Sequence, residues 1–114
     1  MEQLQVRLAR FADERDWNQF HSAKNLVMAL AGEVGELMEL FQWLTPDAAD
    51  SVMEDPRSAT RVREEMADVF GYLLRLADRL GVELDQALVH KLELNAEKYP
   101  IDKASGHSIK YTDL

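Results

Sequence analysis

The sequence predicts an all-α protein, a four-helix bundle, on three observations. Apolar residues recur at three- and four-residue steps along most of the chain. No stretch alternates convincingly as a strand. Helix breakers are scarce, with five glycines and three prolines among 114 residues. At that length one domain over residues 1–114 is the natural organisation, with about 101–114 as a C-terminal tail.

The first helix runs from Glu2 to about Asp16, with Leu4, Leu8, Phe11 and Ala12 at helical spacing. "RDWNQFHSAKN" follows as an irregular aromatic and polar connection. Ser22 is placed to cap a second helix that continues to about Trp43 or Leu44, with Leu26, Leu30, Leu37, Leu40, Phe41 and Leu44 as its apolar face. "TPDAADSVMEDPRSAT" carries two prolines and reads as a loop with room for a short helical turn. A third helix spans about Ser58 to Leu80 along the stripe Met66, Val69, Phe70, Leu73, Ala77 and Leu80, and Gly81 stops it. A fourth runs from about Leu84 to Lys98 and ends before Pro100. Two short connections and one longer one suit a bundle, and there are no internal repeats or low-complexity tracts.

Composition narrows the function. There is no cysteine, which excludes disulfides, zinc thiolates, iron–sulfur clusters and cysteine nucleophiles and points to a reducing cytoplasm. No segment resembles a signal peptide or reaches the roughly 20 apolar residues of a membrane span. A net charge of −8 argues against binding duplex nucleic acid, which needs a basic face. It leaves room for a polyphosphate ligand bridged to carboxylates by divalent cations.

Two acidic pairs stand beside the apolar stripes. Glu33 and Glu36 interrupt the second helix, and Glu65 and Asp68 the third, each three residues apart and so one turn apart on one face. If the two helices are antiparallel neighbours, four carboxylates converge. Without cations they would repel one another and some would stay protonated, whereas a hard divalent ion resolves the conflict. The bland alternative is a solvated acidic face on each helix. A di-iron bundle expects Glu-x-x-His, and none of His21, His90 or His107 has a glutamate three residues before it.

"EVGEL" followed by "EEMADVFGYL", with 28 residues between Glu36 and Glu65, resembles the ExxE…ExxD pattern of the MazG-like all-α nucleoside triphosphate pyrophosphohydrolases. "RDWNQFHSAKNL", "ELFQW", "KLELNAEKYP" and "KYTDL" are similar to the dCTP pyrophosphatase-like branch. The resemblance implies hydrolysis of dCTP, or a modified dCTP, to the monophosphate and pyrophosphate for nucleotide-pool control. It implies Mg²⁺, with Mn²⁺ as a substitute, and a homodimer or homotetramer in which two chains build each site.

Carried over by position, the resemblance makes Glu33, Glu36, Glu65 and Asp68 the metal ligands, and Glu36 with Glu33 is expected to orient the attacking water. Trp17, Asn18, Gln19, Phe20 and His21, with Trp43 and Tyr72, are implied for the substrate pocket. Lys91, Asn95, Lys98 and Tyr99 are implied for the phosphates and base. The residue types suit those roles: aromatic faces stack on bases, an amide offers both donor and acceptor, and lysines offset phosphate charge. Without the resemblance, Trp17 and Trp43 read as packing residues at helix ends and Tyr72 as a core residue with a bonded hydroxyl. One position departs from the branch: Leu8 stands where a substrate-contacting histidine can occur. Two rival classes are a regulatory nucleotide-binding protein and a non-catalytic helical interaction module.

Overall fold

The computed structural model describes residues 1–101 and 106. The C-terminal "KYTDL" and His107 lie outside the described residues, as does most of the 101–114 tail. Every regular element among the described residues is helical: α1 (Glu2–Glu14), α2 (Ala23–Glu39), α3 (Pro46–Asp50), α4 (Pro56–Leu80) and α5 (Leu84–Lys98), with single 3₁₀ turns at Asn18–Phe20 and Val52–Glu54. None of these helices is long and apolar enough to cross a membrane. The chain divides into two compact units, Met1–Gly81 and Val82–Leu114.

Local chemistry sets each boundary. Helix α1 stops two residues short of the expected Asp16, because Asp16 itself takes the left-handed conformation at φ 54. The Trp17 N–H donates to the Ala12 carbonyl at 2.9 Å and the Asp16 N–H to that of Asp13 at 3.1 Å. These are the paired bonds of a Schellman cap, and its usual apolar contact is present, with the Trp17 ring edge-on to Phe11 at 5.6 Å. The cap thereby fixes where Trp17 points. Ser22 begins α2 as expected, its hydroxyl accepting from the Asn25 N–H at 3.2 Å.

Helix α2 ends at Glu39, earlier than Trp43 or Leu44, and residues 40–44 continue as turns with mostly i→i−3 bonds. Pro46 disfavours helical geometry at Thr45, which turns extended (ψ 159) and caps α3 with its hydroxyl. The two prolines of this segment each occupy a helix start. Pro56 opens α4 ahead of the expected Ser58, with the Asp55 carboxylate accepting from the Arg57 N–H and the Ser58 hydroxyl. Gly81, at φ 70, closes α4 as the sequence implies.

In the first unit α2 packs on α4, and α1 lies against α4, where the Gln5 amide donates to the Leu74 carbonyl at 3.3 Å. Asn18 and His21, just before α2, meet Arg75 near the end of α4, while Glu33 meets Glu65 farther back, so the two helices run antiparallel. Leu26, Leu74, Ala12, Ala59, Val62 and Ala77 are fully buried among the described residues. Much of the expected apolar face is not covered: Leu44, Met66, Phe70 and Leu80 are exposed, and Leu30, Leu37, Leu40 and Phe41 only half-buried. The few helices packed in this unit leave each amphipathic stripe wider than its neighbours cover.

Asp16 holds a left-handed conformation that costs a β-branched residue about 1–2 kcal/mol. Asp16→Val is expected to lower the unfolding free energy by about that amount in urea titrations, while Asp16→Gly stays within about 0.5 kcal/mol of the parent.

Candidate functional site

The antiparallel seam of α2 and α4 brings three carboxylates together. Oxygens of Glu33, Glu36 and Glu65 all lie within 4.8 Å of one another. Glu33 and Glu65 are half-buried and Glu36 is exposed. The Oε2 atoms of Glu33 and Glu65 are buried without a hydrogen-bond partner among the described residues. Like charges at that spacing repel by roughly 4 kcal/mol per pair at the effective dielectric of a protein surface. Burial pushes the Glu33 carboxyl up from 4.5 to about 7, reinforced by the adjoining Glu36 and Glu65 carboxyls and by the charge of Asp68. Glu65 is also raised, first by burial and then by Glu36 and Asp68, with the Glu33 contact partly offsetting them.

These oxygens fit a hard divalent cation: three anionic donors, two of them lacking any other partner, with no soft ligand in the set. Asp68, the fourth residue of the pattern, is not in the three-oxygen cluster. It stands one turn beyond Glu65 and lines a neighbouring pocket of about 220 Å³.

That pocket has an apolar wall and a polar one. Leu8, Phe11 and Ala12 of α1 form the first, and Trp17 and His21 edge it. Asp68, Gly71, Tyr72 and Arg75 complete it from α4, at i, i+3, i+4 and i+7, one helical face. A Cβ placed on Gly71 would meet nothing within 4 Å, so the cavity is open there. Three larger depressions, of about 450 and 520 Å³ lined chiefly by α1 and of about 280 Å³ lined by α5, hold none of the four acidic residues.

Arg75 joins the polar wall. Its side chain is 14% exposed, its Nη2 donates to Asn18 Oδ1 at 3.0 Å and to His21 Nδ1 at 3.4 Å, and its Nη1 faces Asp78 at 3.6 Å. Its Nε is buried with no acceptor among the described residues, a cost of about 1–3 kcal/mol. Burial and the Arg75 charge hold His21 below the usual imidazole value.

The remaining implied residues are dispersed. Asn18 also donates from Nδ2 to Asp13. The Gln19 amide is turned back onto the Asp16 carbonyl and carboxylate. Phe20 is exposed, and its carbonyl accepts from the Asn25 amide. Trp43 is 87% exposed on the turn after α2 and is not part of the pocket wall. In the second unit, Lys91, Asn95 and Lys98 fall at i, i+4 and i+7 on α5, and the Tyr99 N–H closes the helix on the Asn95 carbonyl at 2.8 Å. Arg75 was not among the sequence candidates. Its signal was an arginine inside the apolar run "YLLRLA", three residues after Tyr72 and seven after Asp68.

The MazG-like family matches residues 29–114 of the chain. The chain is 44% identical over all its 114 residues to dCTP pyrophosphatase 1 of Mus musculus, covering 67% of that protein. It is 45% identical, again over its full length, to dCTP pyrophosphatase 1 of Homo sapiens, covering 67% of it. A pyrophosphatase from Archaeoglobus fulgidus has a similar solved structure, with a TM-score of 0.82 and 42% identity over 88% of this chain and 92% of that one.

Glu33 takes up its proton more readily when folded than when unfolded, so its contribution to stability is full below pH 4.5 and is lost as pH rises through about 7. In EDTA the melting temperature is expected to fall across that window, and Glu33→Gln to flatten the decline. At pH 8 added Mg²⁺ or Mn²⁺ is expected to raise the melting temperature of the parent protein but not of Glu33→Gln/Glu65→Gln. Thermal melts with and without cation check both.

Proposed function

The chain belongs to the MazG-like family, and on that premise we propose that it hydrolyses dCTP to dCMP and pyrophosphate with Mg²⁺ held by Glu33, Glu36, Glu65 and Asp68. The observation that carries the reading is the convergence of three of those carboxylates beside an aromatic-edged pocket that the fourth helps to line. The kinship to dCTP pyrophosphatases over the full length of the chain supports the substrate.

Held by these carboxylates, a divalent cation would supply charge neutralisation for the phosphate oxygens and would make a nearby water more acidic. The chain's own residues do the rest. Glu33 and Glu65, half-buried and with unpartnered oxygens, hold their carboxylates ready for a cation without reorganisation. Glu36, exposed on the same face, is placed to orient the water that attacks the α-phosphorus, with Glu33 beside it. Trp17 and Tyr72 edge a space suited to a base ring, and His21 gives it a polar edge. In α5, Lys91 and Lys98 are suited to phosphate charge, and Asn95 and Tyr99 to the nucleoside.

We assign the working assembly to a homodimer or a pair of dimers. Val27, Ala31, Val34 and Met38 form an exposed stripe on α2 at i, i+4, i+7 and i+11, about 16 Å long at 1.5 Å per residue. The net charge of −8 fits a nucleotide substrate held through cations and not a duplex, and the absence of cysteine fits a cytoplasmic setting.

Pyrophosphate release from a panel of dNTPs and NTPs tests the function. It is expected to be strongest for dCTP, abolished by EDTA, and reduced by more than about a hundredfold in Glu36→Ala or Asp68→Ala with unchanged helical circular dichroism. Release of single phosphates, or turnover in EDTA, contradicts the assignment. Light scattering is expected to give a dimer or tetramer that Val34→Glu/Met38→Glu converts to monomer.

A further inference from the structure

The pocket beside the carboxylates has nothing polar on its α1 side, where Leu8, Phe11 and Ala12 line it. Any reading of a base's polar edge therefore falls to the opposite wall. There the Arg75 guanidinium, which carries donors only, points Nη2 at His21 Nδ1 at 3.4 Å. Nδ1 must accept, which puts the ring proton on Nε2 and leaves the imidazole a neutral donor. Nε2 has no partner among the described residues. The same Nη2 holds Asn18 Oδ1 at 3.0 Å, and Asn18 Nδ2 donates to Asp13, so the turn before α2 is tied to α4 through Arg75 and to α1 through Asp13. In this position the Arg75 Nε is buried with no acceptor among the described residues.

We propose that Arg75 is a positioning residue for base selectivity: through His21 it fixes an Nε2–H donor at the pocket wall. That donor favours a base whose edge offers a carbonyl beside an unprotonated ring nitrogen, as cytosine does. Thymine and uracil carry an N–H at that ring position and would bring donor against donor, leaving both unpaired. The inference rests on the reading of this pocket as the base site.

The test uses the full chain with Mg²⁺ and compares kcat/KM for dCTP with that for dTTP and dUTP in the parent, Arg75→Met and Arg75→Gln. Methionine keeps the buried stem and removes the donors. Glutamine keeps an amide N–H for Nδ1. The dCTP preference is expected to fall by about tenfold or more in Arg75→Met, mainly through KM for dCTP, and to stay within about threefold of the parent in Arg75→Gln. The imidazole ¹⁵N spectrum of His21 in nucleotide-free protein, assigned by its loss in His21→Gln, is expected to show the Nε2–H tautomer in the parent and a mixture in Arg75→Met. Equal losses on all three nucleotides, an unchanged preference in an active Arg75→Met, or an Nδ1–H tautomer in the parent each overturns this inference alone. A parent protein that releases no pyrophosphate from any nucleotide overturns the proposed function and this selectivity with it.

Discussion

The register of α2 against α4 is the constraint on which the rest depends. It sets Glu33 and Glu36 opposite Glu65 within 4.8 Å, in a seam where two of the oxygens have no other partner. A seam of leucines at those positions would be more stable, because half-buried like charges repel and one is driven to hold a proton near neutral pH. The helix pair therefore carries a built-in deficit that a divalent cation bound there would remove. The hairpin is strong enough to hold it because Leu26 and Leu74 are fully buried at the end of the seam away from the carboxylates.

The pocket follows from the same register. Running α4 antiparallel to α2 carries Asp68, Gly71, Tyr72 and Arg75 in line from the carboxylates towards the start of α2. There the Schellman cap of α1 turns Trp17 edge-on to Phe11, and the guanidinium ties Asn18 and His21 down. A local backbone device, a left-handed Asp16, thus places an aromatic ring, and the half-buried Arg75 fixes its neighbours. Acid cluster and polar-edged pocket lie side by side because one helix face supplies both.

The apolar surface tells a complementary story. Residues whose periodicity marks them as core, such as Met66 and Phe70, are exposed in the first unit, and α2 shows a second stripe through Val34 and Met38. Helices that are apolar on more than one side need more neighbours than this hairpin and α1 provide. That surplus is the surface the proposed homodimer or pair of dimers would cover.

The sequence by itself determined the helical class and the caps at Ser22 and Gly81, because each depends on spacing within one helix or on one residue beside it, and its acidic pairs marked Glu33, Glu36 and Glu65, which the structure gathers, together with Asp68, which it leaves outside that cluster. What it could not determine were effects that need a second segment in place. The early end of α2 depends on Thr45 serving the next helix, and the exposure of Trp43 on the turn that results. Gln19 faces its own loop because Asp16 is left-handed. Arg75 looked like an interruption of an apolar run. Only the tertiary structure, by bringing a turn 54 residues earlier in the chain against it, decided that its donors orient His21. Periodicity records which face a residue is on, but the partner across the seam is set by packing.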